Sequence, residues 1–119
     1  MIEQSLYDAL RLNAPVAALV GTRIRAMRLK QGDTFPALVY SRISTAAEND
    51  LDGHAGLDNC RFQVDCYSEG FTEARTLAAA VKTAMNAAGH LQAGDRDIYD
   101  DDLSLHRVTL DFSIWTQGD

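Results

Sequence analysis

The pattern of apolar residues along the chain predicts an α+β fold: a mainly antiparallel sheet of about four strands with two helices packed on one face. Three observations predict it. Residues 59–67 alternate Cys60, Phe62, Val64 and Cys66 with polar neighbours. Residues 107–114 do the same with Val108, Leu110, Phe112 and Ile114. Strict alternation of this kind marks strands with one buried face. Between them, Phe71, Ala74, Leu77, Ala78, Val81, Met85 and Ala88 fall along one helical stripe, so a helix is available to cover that face. At 119 residues the chain is large enough to bury most of a single core without staples, so residues 1–119 are expected to form one domain.

Taken in order, Ile2, Leu6, Ala9 and Leu10 stand at helical spacing over residues 2–13. That helix must end before Pro15, because the residue preceding a proline is pushed out of helical angles. A short second turn through Val16, Leu19 and Val20 stops at Gly21. Residues 23–30 read as a brief basic edge strand closed by a turn over residues 31–34, and residues 37–45, opened by Pro36, read as a second strand. Residues 46–57 carry two glycines and several acids with no period, which predicts a long mobile loop. The helix over residues 72–88 closes at Gly89, and Glu73 suits its positive end. Residues 90–102 are expected to form a second irregular, acidic loop before the last strand.

Composition excludes several functions. The charged fraction of 24% and the hydrophobic fraction of 46% lie in the globular range rather than the disordered one. The start lacks a basic and apolar leader pattern, and no apolar run is long enough to span a bilayer, so a soluble protein made in the cytoplasm, with no membrane partner, is expected. The net charge is −6, and the acids between Asp95 and Asp102 supply most of it, which disfavours tight binding to a phosphate backbone. Cys60 and Cys66 lie about 20 Å apart along one strand, beyond the ~7 Å reach of a disulfide, so both are expected to be reduced core thiols.

Catalytic and cofactor patterns fail on particular residues. No nucleophile elbow and no phosphate-cradling glycine loop is present. His54, His90 and His106 stand alone, without metal-ligand spacing to another His or Cys. Residues 48–59 mimic a calcium loop but offer Glu48 and Asn59 at its two anchoring ends, where Asp and Glu are needed. No catalytic residue, cofactor or metal is therefore expected. Arg23 and Arg25 alternate onto one face of their strand and Arg28 and Lys30 onto the other, so no continuous basic stripe is expected there. The candidate interface residues are Arg23, Arg25, Arg28 and Lys30, then Asp50, Asp52 and His54 in the long loop, and Trp115 as a partner anchor or a cap on the core. An alternative of another class is a small ligand-binding or enzymatic domain using residues 46–57 as a lid, with Asp52 and His54 as acid–base groups.

Four segments in order, Val16–Ile24, Phe35–Ile43, Arg61–Tyr67 with the helix that follows, and Arg107–Trp115, resemble the tail-completion family of long-tailed bacteriophages and prophages, which includes tail terminators and head-to-tail joining proteins. The resemblance implies a structural virion protein: a homo-oligomer, a ring of six subunits, that caps the tail tube at its head-proximal end. It implies as partners the tail tube protein and a head–tail connector or stopper, with DNA only as cargo passing through the lumen and assembly in the cytoplasm of the bacterial host. Acidic residues 95–102 would then line a lumen that repels DNA. A head-completion or tail-tube component, in a phage, a prophage or a gene-transfer particle, shares the same features.

Overall fold

The computed structural model describes residues 2–48 and 57–117. The elements run α1 (Ile2–Arg11), α2 (Ala14–Val20), β1 (Ile24–Ala26), β2 (Ala37–Glu48), β3 (Leu57–Ser68), α3 (Phe71–Ala87), β4 (Leu91–Asp100) and β5 (Leu105–Gln117). The class is α+β with a mostly antiparallel sheet, as the hydropathy pattern predicts, and among the described residues the sheet has five strands in the order β1-β2-β3-β5-β4. Among the described residues only β1 is parallel to its neighbour.

Local chemistry explains the helix boundaries. Leu6 and Leu10 are the buried side of α1, while Asp8 and Arg11 pair at 2.9 Å on its wet side. Asn13 leaves helical angles and its side chain accepts the Val16 N–H at 3.1 Å, which caps α2 just where Pro15 needs no amide donor. Gly21 ends α2 at φ 58°, a conformation a Cβ would penalise. In α3, Ala74, Leu77, Ala78, Val81, Ala84 and Met85 are buried, and Glu73 in the first turn accepts the Ser68 hydroxyl at 2.6 Å.

β3 is the spine. It pairs with β5 from Leu57↔Gln117 to Ser68↔His106 and with β2 from Ala37↔Tyr67 to Glu48↔Leu57. On one face Leu38, Phe62, Val64, Leu110 and Phe112 join Leu6, Val16, Leu77 and Met85 in a single core. Phe62 and Phe112 are cross-strand partners and both are buried, each burial contributing about 1.5–3 kcal/mol. Cys60 and Cys66 are free and buried in this core, and burial pushes the Cys66 thiol far up. The other face is polar at its centre: Asp65 is buried and accepts hydrogen bonds from the Thr109 hydroxyl at 2.7 Å and the Gln63 amide at 3.1 Å. Toward one end, residues 27–36 fold over this second face, where Leu29 and Phe35 pack on Val39, Tyr67 and Leu105.

The structure corrects three sequence expectations. Residues 90–102 are not an irregular loop, because residues 91–100 form β4, antiparallel to β5. On its helix side Gln92, Asp95 and Asp97 stand beside Phe112, Leu110 and Val108, so the strand carries polar residues on both faces and shows no hydropathy alternation. The basic strand expected over residues 23–30 is only three residues long, because Met27 turns out of it at φ 70°. The expected loop 46–57 is strand at both flanks, to Glu48 in β2 and from Leu57 in β3; Asp50, Asp52 and His54 lie outside the described residues.

Candidate assembly interface

The two lateral edges of the sheet are unlike. At the β1 edge, Arg23 is committed to the fold: its guanidinium donates to the carbonyls of Pro36 at 3.0 Å and Leu19 at 3.4 Å. Arg25 grips Asp33 with two hydrogen bonds, at 2.8 and 3.1 Å, and the same carboxylate accepts the Lys30 N–H at 3.0 Å. The Asp33 side chain is only 6% exposed, and the Arg25 hydrogen bond holds its carboxyl below the usual carboxylate range. This clamp folds residues 28–33 back toward β1. Arg28 and Lys30 are exposed, and neither side chain forms an ion pair among the described residues.

Because the chain leaves the strand at Met27, the expected two-faced alternation of these cations fails. Arg25, Ala26, Arg28, Leu29, Lys30 and Gln31 line one concavity of about 460 Å³. Sequence alternation separated Arg25 from Arg28 and Lys30; the left-handed residue between them brings them together.

Beside this concavity, the outer edge of β2 loses its partner. The Met27 N–H donates to the Tyr40 carbonyl at 2.8 Å, and β1 pairs with β2 only as far as Tyr40. Past that point β2 has β3 on one side and no strand on the other among the described residues. A bulge between Arg42 and Ser44 turns Ile43 outward, 57% exposed, a common device where a sheet edge must re-aim a side chain. Arg42 anchors this segment to α1 through Glu3 at 2.6 Å and lies over the Phe62 ring.

At the opposite edge, β4 is held to α3 by charge. Asp95 pairs with Lys82 and, at 3.8 Å, with Arg75, and Asp97 pairs with Arg75 at 3.0 Å. On the other face Arg96 pairs with Asp111 at 3.1 Å. The Lys82 contact holds the Asp95 carboxyl below its usual range. These acids are therefore neutralised within the chain, unlike the bare acidic surface expected for residues 95–102. The remaining acids sit at the β4–β5 turn. Asp100 accepts the Leu103 N–H at 3.1 Å, Ser104 takes φ 55°, and Asp101 and Asp102 are exposed beside Leu103, itself 50% exposed.

Two apolar patches lie at the ends of the sheet. Phe71 and Tyr99, both exposed, flank His106 edge-on with ring centroids 5.8 and 5.0 Å away. At the other end Trp115 is 52% exposed, so it does not cap the core. His90 is partly buried, and burial pushes its imidazole down. Among the described residues no three His, Cys, Asp or Glu side chains are grouped to hold a metal ion, and no helix is long and apolar enough to cross a membrane.

The pattern of an open sheet with unlike edges and exposed apolar ends suits a protein that binds other proteins. No curated protein matches the chain. Among solved structures it resembles a chain in the virion of a native gene transfer agent particle, at 22% identity and a TM-score of 0.74, covering 95% of this chain and 92% of that one; at that identity the likeness shows the fold. The family model for Tail completion protein gp17 matches residues 4–117, nearly every element described above, and the chain belongs to that family of structural phage tail proteins.

Proposed function

We propose that this protein is a tail-terminator subunit. Copies assemble into a ring, of six subunits, at the head-proximal end of the tail tube, stop tube growth there and offer a surface to the head connector or stopper protein. The observation that carries this reading is the unlike pair of open sheet edges. A closed ring is built from head-to-tail contacts, so each subunit must present two different, mutually complementary flanks. The exposed apolar residues at the two ends of the sheet, Trp115 at one and Phe71 with Tyr99 at the other, supply two further unlike surfaces. One serves the tube below and one the connector above, with DNA passing through the lumen. Family membership over residues 4–117 supports the tail location, and the similar chain comes from a virion particle.

The test is electron microscopy of particles made without this protein. Tails of uncontrolled length, or finished tails that fail to join filled heads, are expected. Normal particles in its absence defeat the proposal.

A further inference from the structure

We infer that the ring closes by seating the β4–β5 turn of one copy, Asp101–Asp102–Leu103, in the basic concavity at the β1 edge of the next copy. The inference rests on the ring reading above and names the two surfaces that meet.

Availability selects these residues. At the basic edge Arg23 and Arg25 are occupied by carbonyls and by Asp33, whereas Arg28 and Lys30 extend from the same rim without an ion partner among the described residues. At the acidic edge Asp95 and Asp97 are spent on α3, whereas Asp101 and Asp102 are exposed and unpaired among the described residues. Two cations and two anions without an ion pair among the described residues are thus available to meet.

Shape agrees with charge. The turn is stiffened by the Asp100 hydrogen bond to Leu103 and projects Leu103 into solvent. The concavity, of about 460 Å³, has Ala26 and Leu29 among its cationic lining, so an apolar side chain entering with two carboxylates finds apolar surface. The clamp at Asp33 preorganises that lining, which lowers the ordering cost of docking.

Topology supplies the direction. β2, β3 and β5 stand between β1 and β4, so the edge strand that starts the basic segment and the edge strand that leads into the acidic turn lie on opposite sides of the sheet. Each flank repels its own kind and attracts the other, which disfavours a two-fold dimer and favours head-to-tail propagation.

The experiment uses charge reversal in the full-length chain. One variant carries Arg28→Glu and Lys30→Glu, a second carries Asp101→Lys and Asp102→Lys, and a third carries all four. The altered side chains are exposed and form no ion pair among the described residues, so circular dichroism should match the parent; because the Lys30 charge helps hold the Asp33 carboxyl low, Arg28→Glu alone is carried alongside, and its urea midpoint should match the parent. Association is read by sedimentation velocity over a concentration series, and by imaging of tails complemented with each variant. Each one-sided reversal should weaken association about 10- to 100-fold. The four-site variant should recover it, because the complementary pair is restored with signs exchanged. An equimolar mixture of the two one-sided variants should also assemble, as alternating rings of even number. Parent-like association of the one-sided variants overturns the inference and leaves the ring reading standing. So does loss without recovery in the four-site variant, the result expected if the groove instead holds DNA. A parent that forms no ring, free or on tails, defeats the ring reading itself.

Discussion

Charge rather than apolar burial holds β4 against α3, and neutralising that charge should loosen the strand by a predictable amount. The perturbation is Asp95→Asn with Asp97→Asn. The structure provides three contacts to lose, Asp95 with Lys82, Asp95 with Arg75 at 3.8 Å and Asp97 with Arg75 at 3.0 Å. All are partly exposed, so each contributes about 0.2–1 kcal/mol rather than the value of a buried pair. The longest contact counts least, and the sum is about 1–1.5 kcal/mol. The β4–β5 backbone ladder remains, so the change should appear mainly as local opening. Native-state hydrogen exchange should show amides of β4 losing protection by about 5- to 10-fold, while β3 amides change less. The loss should shrink in 1 M salt, where the screening length falls to about 3 Å. Asp95 has a folded pKa below its unfolded value. Its contribution is therefore fully present above the unfolded carboxylate range, near pH 4, and is lost as pH falls through the folded value. Unchanged β4 exchange, or a loss that is insensitive to salt, would refute the electrostatic tether. A global loss above about 3 kcal/mol would mean these acids are structural in a way their exposure does not support.

Two further outcomes follow from single residues. Met27 holds φ 70° while 71% exposed, so Met27→Gly relieves about 1–2 kcal/mol of left-handed strain and returns about 0.4–1 kcal/mol through the more flexible unfolded chain. A net gain of about 0.5–1 kcal/mol is expected in urea unfolding, and a clear loss would mean the side chain packs. Cys60 and Cys66 are both buried, and burial raises the Cys66 thiol, so a thiol reagent should label the protein only at the rate of its opening. Fast labelling in native buffer would contradict the buried placement.

The elements that declare themselves in the amino-acid order are those whose side chains face unlike environments. β3 and β5 alternate because one face meets α3 and the other meets solvent or polar neighbours, and α3 shows its stripe for the same reason. β4 looks like a loop in the amino-acid order because its helix-side residues meet Arg75 and Lys82 instead of apolar groups, leaving no contrast between its faces. Backbone pairing with β5 has no residue-type signature. The only local signal was the short β-forming pair Ile98–Tyr99. Gly21 announces its positive φ by being glycine, whereas Met27 adopts one without any such sign. That single residue decides whether Arg28 and Lys30 alternate away from Arg25 or join it. The charged segments of the interface were individually visible in the chain; their placement on opposite flanks depends on β4 adding outside β5, and that is a property of the three-dimensional pairing alone.

The central position of β3 also sets how the subunit carries mechanical load. Its hydrogen bonds run sideways to β2 and β5 along its entire length, perpendicular to the strand direction. A pull along the direction of β3 strains those bonds in shear, all together. A sideways pull at β4 meets one ladder only and breaks its bonds in succession. Under tension the subunit should therefore give way by peeling at β4 while the β2–β3–β5 girder holds, with α1 and α3 still seated on it.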